Sequence, residues 1–335
     1  MAKNKKSKGT YGAFLKGWGI FLVISVVLGA FAGVWLGNRG GTSVIELDDS
    51  TGGVVNILLL GSDGGGMRSD TIMLVNINGE TGKVNILSLP RDTAIFKQDA
   101  NGRIITTSAP DKLNSYLGKG YTQCKNGEIE VPELAMMKKV KEITGLPINY
   151  YATIDFDGFK HIIDILGGVD YEVPENMDYD DPAQDLHIHL KAGMQHLDGQ
   201  AAHDFARYRN YKNGRADLAR IEAQQSFIKA LVKQKLTPSN LNKVDELYDA
   251  ISEYVSTNYK FKNLMSSLGT IKNITEDDVT MYVLPNTPRM IMGGSYVVYN
   301  DTEEHRQELQ EILENFKSEA QKKAEADAVA SAEEQ

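Results

Sequence analysis

The sequence predicts an α/β protein: an α/β/α sandwich with a central mixed sheet, preceded by one N-terminal transmembrane helix. Three observations predict it. Residues 54–60, 71–77 and 84–89 are short apolar segments bounded by turn residues, the pattern of neighbouring strands. Strand-like and amphipathic helical segments alternate from residue 132 to residue 173, an order that suits helices packed on a sheet. Residues 17–37 form an uncharged, largely apolar run of the length needed for one membrane crossing.

Charge divides the chain. The 335 residues carry a net −9, yet residues 1–40 hold six basic and no acidic side chains, so the remainder sums to −15. An acidic body argues against general nucleic-acid binding, which needs a net basic face. Lys3, Lys5, Lys6 and Lys8 precede the apolar run, and Trp18 and Trp35 sit near its ends, where interfacial indoles are expected. The positive-inside rule then makes residues 1–16 a basic cytoplasmic tail and places everything after Arg39 outside the cell membrane. The competing reading, a cleaved signal peptide, has Ala30-Phe31-Ala32 in its favour, but the apolar run continues past that point. A single cysteine, Cys124, excludes an intrachain disulfide.

Residues 38–53 read as an extracellular linker, and the domain spans 54–316. Asn78-Gly79-Glu80-Thr81-Gly82 makes a tight turn between the second and third strands. Pro132 opens an amphipathic helix with Leu134, Met137, Val140 and Ile143 on one face; Gly145 and Pro147 stop it. Residues 148–154 form a strand, and Asp155 or Asp157 caps a helix whose Phe159, Ile162, Ile163 and Leu166 turn inward before Gly167-Gly168. Residues 169–173 are a further strand. His187 and His189 alternate as on an exposed strand, without the further ligands a metal site wants. Asp198 caps a helix ending in Arg207-Tyr208-Arg209, and a second helix carries Asp217, Arg220 and Gln224 on one face. Two late strands, 279–284 and 296–299, are expected to return to the sheet. Residues 317–335 are a charged, Ala/Glu-rich tail, solvated or frayed. The chain has no zinc-type Cys/His spacing, no Gly-Lys-Ser phosphate loop and no Gly-x-Ser-x-Gly elbow.

The candidate chemistry lies at strand ends. Asp63, Arg68, Asp70, Arg91 and Asp92 all fall there, so side-by-side pairing would gather two arginines and three carboxylates at one sheet edge. Arginine forks grip phosphate oxygens and carboxylates hold Mg2+ against them; a polar rim of scattered loop charge is the plainer alternative. Lys112 either joins such a site or is a surface lysine. Four arginines between Arg207 and Arg220, in an otherwise acidic domain, again suit phosphate recognition, against the plainer reading of a salt-bridged surface helix.

The order of these pieces resembles the LytR–CpsA–Psr family. The matching segments are the basic tail and anchor, Leu58-Leu59-Leu60-Gly61-Ser62-Asp63, Arg68-Ser69-Asp70-Thr71, Pro90-Arg91-Asp92, Lys112-Leu113-Asn114, Asp164 through Asp170, Leu197-Asp198-Gly199, Arg207-Tyr208-Arg209 and Asp217 through Gln225. Each alone is weak; eight in order are specific, and they favour the anion site. The resemblance implies a Mg2+-dependent (or Mn2+-dependent) phosphotransferase that moves a glycopolymer, such as wall teichoic acid or capsular polysaccharide, from an undecaprenyl pyrophosphate carrier to peptidoglycan through a phosphodiester. By motif match, Asp63 and Asp70 would hold the metal. Arg68, Arg91, Arg207, Arg209 and Arg220 would clamp the pyrophosphate, with Lys112 beside them. Asp217 and Gln224 would orient the clamp, and Asp92 would support Arg91; Asp70 or Asp92 is the candidate proton acceptor.

Three departures stand out. Ala219 and Ala223 occupy positions where the family often has Gly and a further Arg, and Lys119-Gly120 replaces a usual Gly-Gly. Competing readings are a hydrolase of the same carrier, with water as acceptor, and a non-catalytic polyprenyl-phosphate-binding regulator of wall assembly.

Overall fold

The computed structural model describes residues 53–62, 67–98, 103–104, 107–182, 186–208, 226–227, 230–231, 233–235, 254–258 and 274–333. In chain order the strands are β1 (Val54–Ser62), β2 (Ser69–Asn78), β3 (Val84–Ser88), β4 (Ala94–Ile95), β5 (Asp111–Lys112), β6 (Tyr150–Ile154), β7 (Val169–Val173), β8 (Met177–Asp181), β9 (Leu186–Leu190), β10 (Gly193–Leu197), β11 (Val255–Thr257), β12 (Val279–Val283), β13 (Asn286–Ile291) and β14 (Gly294–Tyr299). The helices are α1 (Tyr116–Lys125), α2 (Glu133–Thr144), α3 (Phe156–Ile165), α4 (Gly199–Arg207), α5 (Glu303–Glu314) and α6 (Glu319–Glu333).

Six strands form the central mixed sheet, in the order β11-β6-β1-β2-β3-β12. β2 runs antiparallel to both β1 and β3, while β6 is parallel to β1 and β12 is parallel to β3. The three apolar segments therefore are adjacent strands, as expected. Their side chains alternate between two cores. Ile57, Leu59, Val75 and Ile86 pack with α3 and α4 on one face. Leu58, Leu60, Leu74 and Leu87 pack with α1, α2 and α5 on the other. Burial on both faces explains why these strands read as continuous apolar runs.

The local signals work as their chemistry dictates. Asn78 accepts from the backbone N–H of Glu80 and Thr81 in the β2–β3 turn. Asp155, not Asp157, caps α3 by accepting from Gly158 N–H at 2.8 Å, and Asp198 caps α4 through Ala201 N–H at 2.8 Å. Gly145 closes α2 in the left-handed region, φ 71°. On α2, Met136 joins the predicted Met137, Val140 and Ile143 in the core.

Two expectations need correcting. β7 does not enter the central sheet; it pairs antiparallel with β10 in a separate two-stranded ladder, so β6-α3-β7 is not a crossover within one sheet. Of the two late strands, β12 returns to the sheet, but residues 296–299 belong to β14, which pairs with the unforeseen β13. The charged tail is helical as α6 through Glu333, because its Ala-, Glu- and Lys-rich composition favours helix even without a buried face. The segment 17–37 lies outside the described residues; among those, no helix is long and apolar enough to cross a membrane.

Candidate functional site

The strand directions bring the predicted charges to one end of the sheet. β1, β3, β6 and β12 point the same way, and β2 starts where β1 ends. The carboxyl ends of parallel strands, where ligands of α/β sheets commonly bind, therefore lie beside Arg68, Asp70, Arg91 and Asp92.

Local structure sets each side chain. A bulge at Gly61/Ser62 shifts the β1–β2 register, and buried Ser69 spans it, its hydroxyl 2.7 Å from the carbonyl of Thr71, to which it donates, and 3.2 Å from that of Gly61. This fixes the strand entry that carries Arg68 and Asp70. Pro90 to Thr93 form a turn in which Pro90 O accepts both Thr93 N–H and Thr93 Oγ1. Arg91 and Asp92 occupy its two corners. Each corner carbonyl is tied down: Arg91 O accepts from Asn114 N–H at 3.0 Å and Asp92 O from Val297 N–H at 3.1 Å.

The charges form an alternating row. Arg91 donates to Asp70 Oδ1 at 2.7 Å, and its Nε lies 3.5 Å from Asp92 Oδ2. Asp92 Oδ1 in turn is 2.7 Å from Lys112 Nζ, which also stands over the Tyr296 ring, 5.1 Å from its centroid. Lys112 thus belongs to the row rather than being an isolated surface lysine. Asp92 therefore lies between Arg91 and Lys112. Arg91 is not a bare cation, however, since two carboxylates already accompany it. Arg68 is exposed and makes no ion pair among the described residues.

Arg207, the last residue of α4, places its guanidinium over the Phe156 ring, 4.8 Å from the centroid. Phe156 directly follows the end of β6, whose Ile154 is level with Gly61 of β1, so Arg207 also reaches the carboxyl edge. His203, one turn earlier on α4, meets the same ring edge-on with centroids 5.1 Å apart. Asp63, Arg209, Asp217, Arg220 and Gln224 lie outside the described residues.

Sequence reasoning missed Phe156, Tyr296 and Gly118. Phe156 carried a usable signal: an aromatic residue straight after a strand and its capping aspartate. Tyr296 carried none, because the chain separates it from Lys112 by a long stretch. A Cβ on Gly118 of α1 would sit 2.5 Å from Met67 O, so this helix can approach the residue preceding Arg68 only without a side chain.

The donor set suits a hard divalent ion in kind. Asp70 offers a carboxylate at the strand entry, and Mg2+ is commonly held by one or two carboxylates plus substrate phosphates. Among the described residues there is no group of three or more His, Cys, Asp or Glu side chains able to hold a metal, and Asp63 lies outside them. His187 and His189 on β9 instead pair with Asp180 and Asp178 of β8, at 2.5 and 2.6 Å, as an exposed strand pair.

Fold and site together define a mixed α/β protein that presents cations and carboxylates in one row at the carboxyl edge of its sheet. The LytR_cpsA_psr family model matches residues 38–315, and the chain belongs to this family. A relative from Bacillus subtilis, the polyisoprenyl-teichoic acid–peptidoglycan teichoic acid transferase TagV, is 34% identical over 58% of this chain. That match covers 45% of the TagV sequence, less than half its length. The Bacillus cereus transferase TagU is 30% identical, covering 77% of each chain. The crystal structure of B. subtilis TagV superimposes with a TM-score of 0.61 at 26% identity, covering 78% of this chain and 98% of that one. A structure of TagT bound to LI-WTA shares the fold, with a TM-score of 0.57 at 22% identity over 83% of this chain and 96% of that one.

Proposed function

We propose that this chain is a membrane-anchored phosphotransferase. It would attach a polyprenyl-pyrophosphate-linked glycopolymer, wall teichoic acid or capsular polysaccharide, to peptidoglycan through a phosphodiester. The observation that carries the reading is the row Asp70–Arg91–Asp92–Lys112, flanked by Arg68 and Arg207, at the carboxyl edge of the sheet in a member of this family. The names of the relatives TagV and TagU support the same donor and acceptor classes.

In the proposed reaction, an acceptor hydroxyl attacks the sugar-side phosphorus. Its O–P bond forms, the bridging O–P bond breaks, lipid monophosphate leaves, and the hydroxyl proton passes to a base. Little covalent chemistry is asked of the protein; positioning and neutralisation of the phosphate charge carry the rate. Arg68, exposed beside the row, is placed to grip a phosphate directly. Arg91 is held by its turn and its two carboxylates, so it meets the substrate pre-oriented. Phe156 gives the Arg207 guanidinium a flat support that orients it at this edge. Arg209, Arg220, Asp217 and Gln224 complete the proposed clamp by motif. Mg2+ or Mn2+, held by Asp70 with Asp63, would supply further neutralisation of the pyrophosphate. The segment 17–37 would keep the domain outside the membrane, near its lipid-borne donor.

The test is transfer from a polyprenyl-pyrophosphate glycan to peptidoglycan by the full chain. Arg68→Ala and Arg207→Ala are each expected to lose about ten- to hundredfold, since a charge-assisted hydrogen bond contributes on the order of 1.5–3 kcal/mol. Wild-type rates in both would place the pyrophosphate elsewhere. Full activity with chelator present would remove the metal from the reading. Release of glycan phosphate without incorporation would make water the acceptor.

A further inference from the structure

We propose that the tip of the β13–β14 hairpin is a membrane-contact element that seats the domain on the phospholipid surface, with the charged row facing the bilayer. The inference rests on the membrane-borne donor of the proposed function. It adds a surface and a partner that this reading does not require.

Place comes first. β13 begins soon after β12 ends at the carboxyl edge of the sheet, and Leu284 N–H still donates to Ser88 O at 2.9 Å. β14 runs back past the site, where Val297 N–H holds Asp92 O and Tyr296 underlies Lys112. The hairpin therefore rises from the edge that carries the row.

Its tip is apolar in an exposed setting. Met290 is 71% and Met292 62% exposed, and Met67, next to Arg68 at the same edge, is 55% exposed. Met290 and Met292 stand two residues apart at the one tip, and large apolar side chains exposed together in water mark an interaction surface.

Backbone conformation supplies a second observation. Met292 and Gly293 form the two-residue turn, with φ of 49° and 79°, and Ile291 pairs with Gly294 across it. Such a turn favours Asn, Asp or Gly at its first position, and methionine there is held in the left-handed region against its preference. The fold alone is served better by asparagine, so a strained, exposed methionine points to a use for the side chain outside the fold.

Charge selects the partner. From residue 279 to residue 300 the chain has no acidic residue, and its one basic residue, Arg289, is paired with Asp301 at 3.2 Å, so the hairpin is near neutral within a body that sums to −15. A phosphate-bearing lipid surface repels the acidic faces of the domain and tolerates this one. Reach allows it. β1 starts at the opposite end of the sheet, about 30 Å from the row for nine residues of strand. The linker of residues 38–53 can extend about 50 Å, enough to turn the carboxyl edge toward the membrane.

The experiment uses the full chain in vesicles of phosphatidylglycerol and phosphatidylethanolamine. Cys124 is the only cysteine, so a Cys124→Ser background accepts single probes. Met290→Cys, Met292→Cys and Met194→Cys are each labelled with bimane, and quenching by nitroxide-bearing lipids is measured. Met194, 70% exposed on the β7–β10 ladder across the sheet, is the control. Quenching at 290 and 292 with none at 194 is expected. Protein that floats with the vesicles but stays unquenched at 290 and 292, or is quenched equally at 194, overturns the contact and leaves the anchor intact. Protein that fails to float overturns the membrane reading and the contact with it. A bimane response to peptidoglycan instead of vesicles assigns the tip to the acceptor and also overturns the proposal. In parallel, the double variant Met290→Asp/Met292→Asp should lose about tenfold in transfer from a long-chain donor in vesicles. It should match wild type on a short-chain, water-soluble donor; equal loss on both would make the methionines structural.

Discussion

At the residue scale, the side chains at the sheet edge separate activity from stability. Arg91 and its carboxylate partners are partly exposed, and ion pairs in that setting contribute on the order of 0–1 kcal/mol. Arg91→Ala is therefore expected to move the melting temperature little while lowering transfer about ten- to hundredfold; a large drop in melting temperature would make the residue structural. Glu133 shows the opposite balance. It is buried at the first turn of α2, accepting from Thr153 Oγ1 at 3.0 Å and Ser256 Oγ at 3.3 Å. Burial pushes its carboxyl above the ordinary range, and these hydrogen bonds, with its own backbone N–H, offset that only in part. A raised folded-state pKa favours the fold below the unfolded carboxylate value, and that stability is lost as pH rises through the folded value. Glu133→Gln should thus match wild type in melting temperature near about pH 4 and exceed it increasingly toward about pH 8. A constant gap across that range would show that folding does not raise the Glu133 carboxyl above its unfolded value.

At the scale of elements, the approach of α1 to the strand entry is the sensitive joint. Gly118→Ala would drive a Cβ into Met67 O at 2.5 Å, against backbone that cannot rotate away. The helix or the Arg68 segment must shift, and overpacking of this kind costs about 1–3 kcal/mol. Lower transfer together with a lower melting temperature is expected, with Gly118→Ser no better. If Gly118→Ala is fully active, α1 does not set the position of Arg68. The β1–β2 bulge and the Pro90–Thr93 turn act likewise: each aims residues that the regular ladder would have pointed elsewhere.

Across the whole molecule, the two ends of the sheet are built from different materials. Opposite the charged edge, Asn56, Asn76 and Asn85 lie in register across β1, β2 and β3. Asn76 Nδ2 donates to Asn56 Oδ1 and to Phe316 O, both at 2.8 Å, and Asn85 Nδ2 donates to Asn315 O at 2.6 Å. This row pins the end of α5, whose neighbour Phe316 is fully buried. A chain ending at Glu314 should lose the Phe316 contribution, about 3–5 kcal/mol, whereas one ending at Ser318, lacking only the largely exposed α6, should melt close to wild type. Equal melting temperatures for the two truncations would show that the asparagine row does not need its carbonyl partners.

Much of this protein was legible from the sequence because the signals are local. Apolar runs bounded by turn residues marked β1, β2 and β3, capping aspartates marked α3 and α4, and charges at strand ends marked the edge that holds Arg68, Asp70, Arg91 and Asp92. Periodicity and capping act within a few residues, so they survive without the fold. What only the tertiary structure decided was partnership over distance. Arg91 sits between two carboxylates, Lys112 joins the row over Tyr296, Phe156 supports Arg207, and β7 and β14 leave the central sheet. A strand's pattern records which side chains are buried, not which neighbour supplies its hydrogen bonds. The pairing of charges, likewise, depends on distances that exist only once the chain has closed on itself.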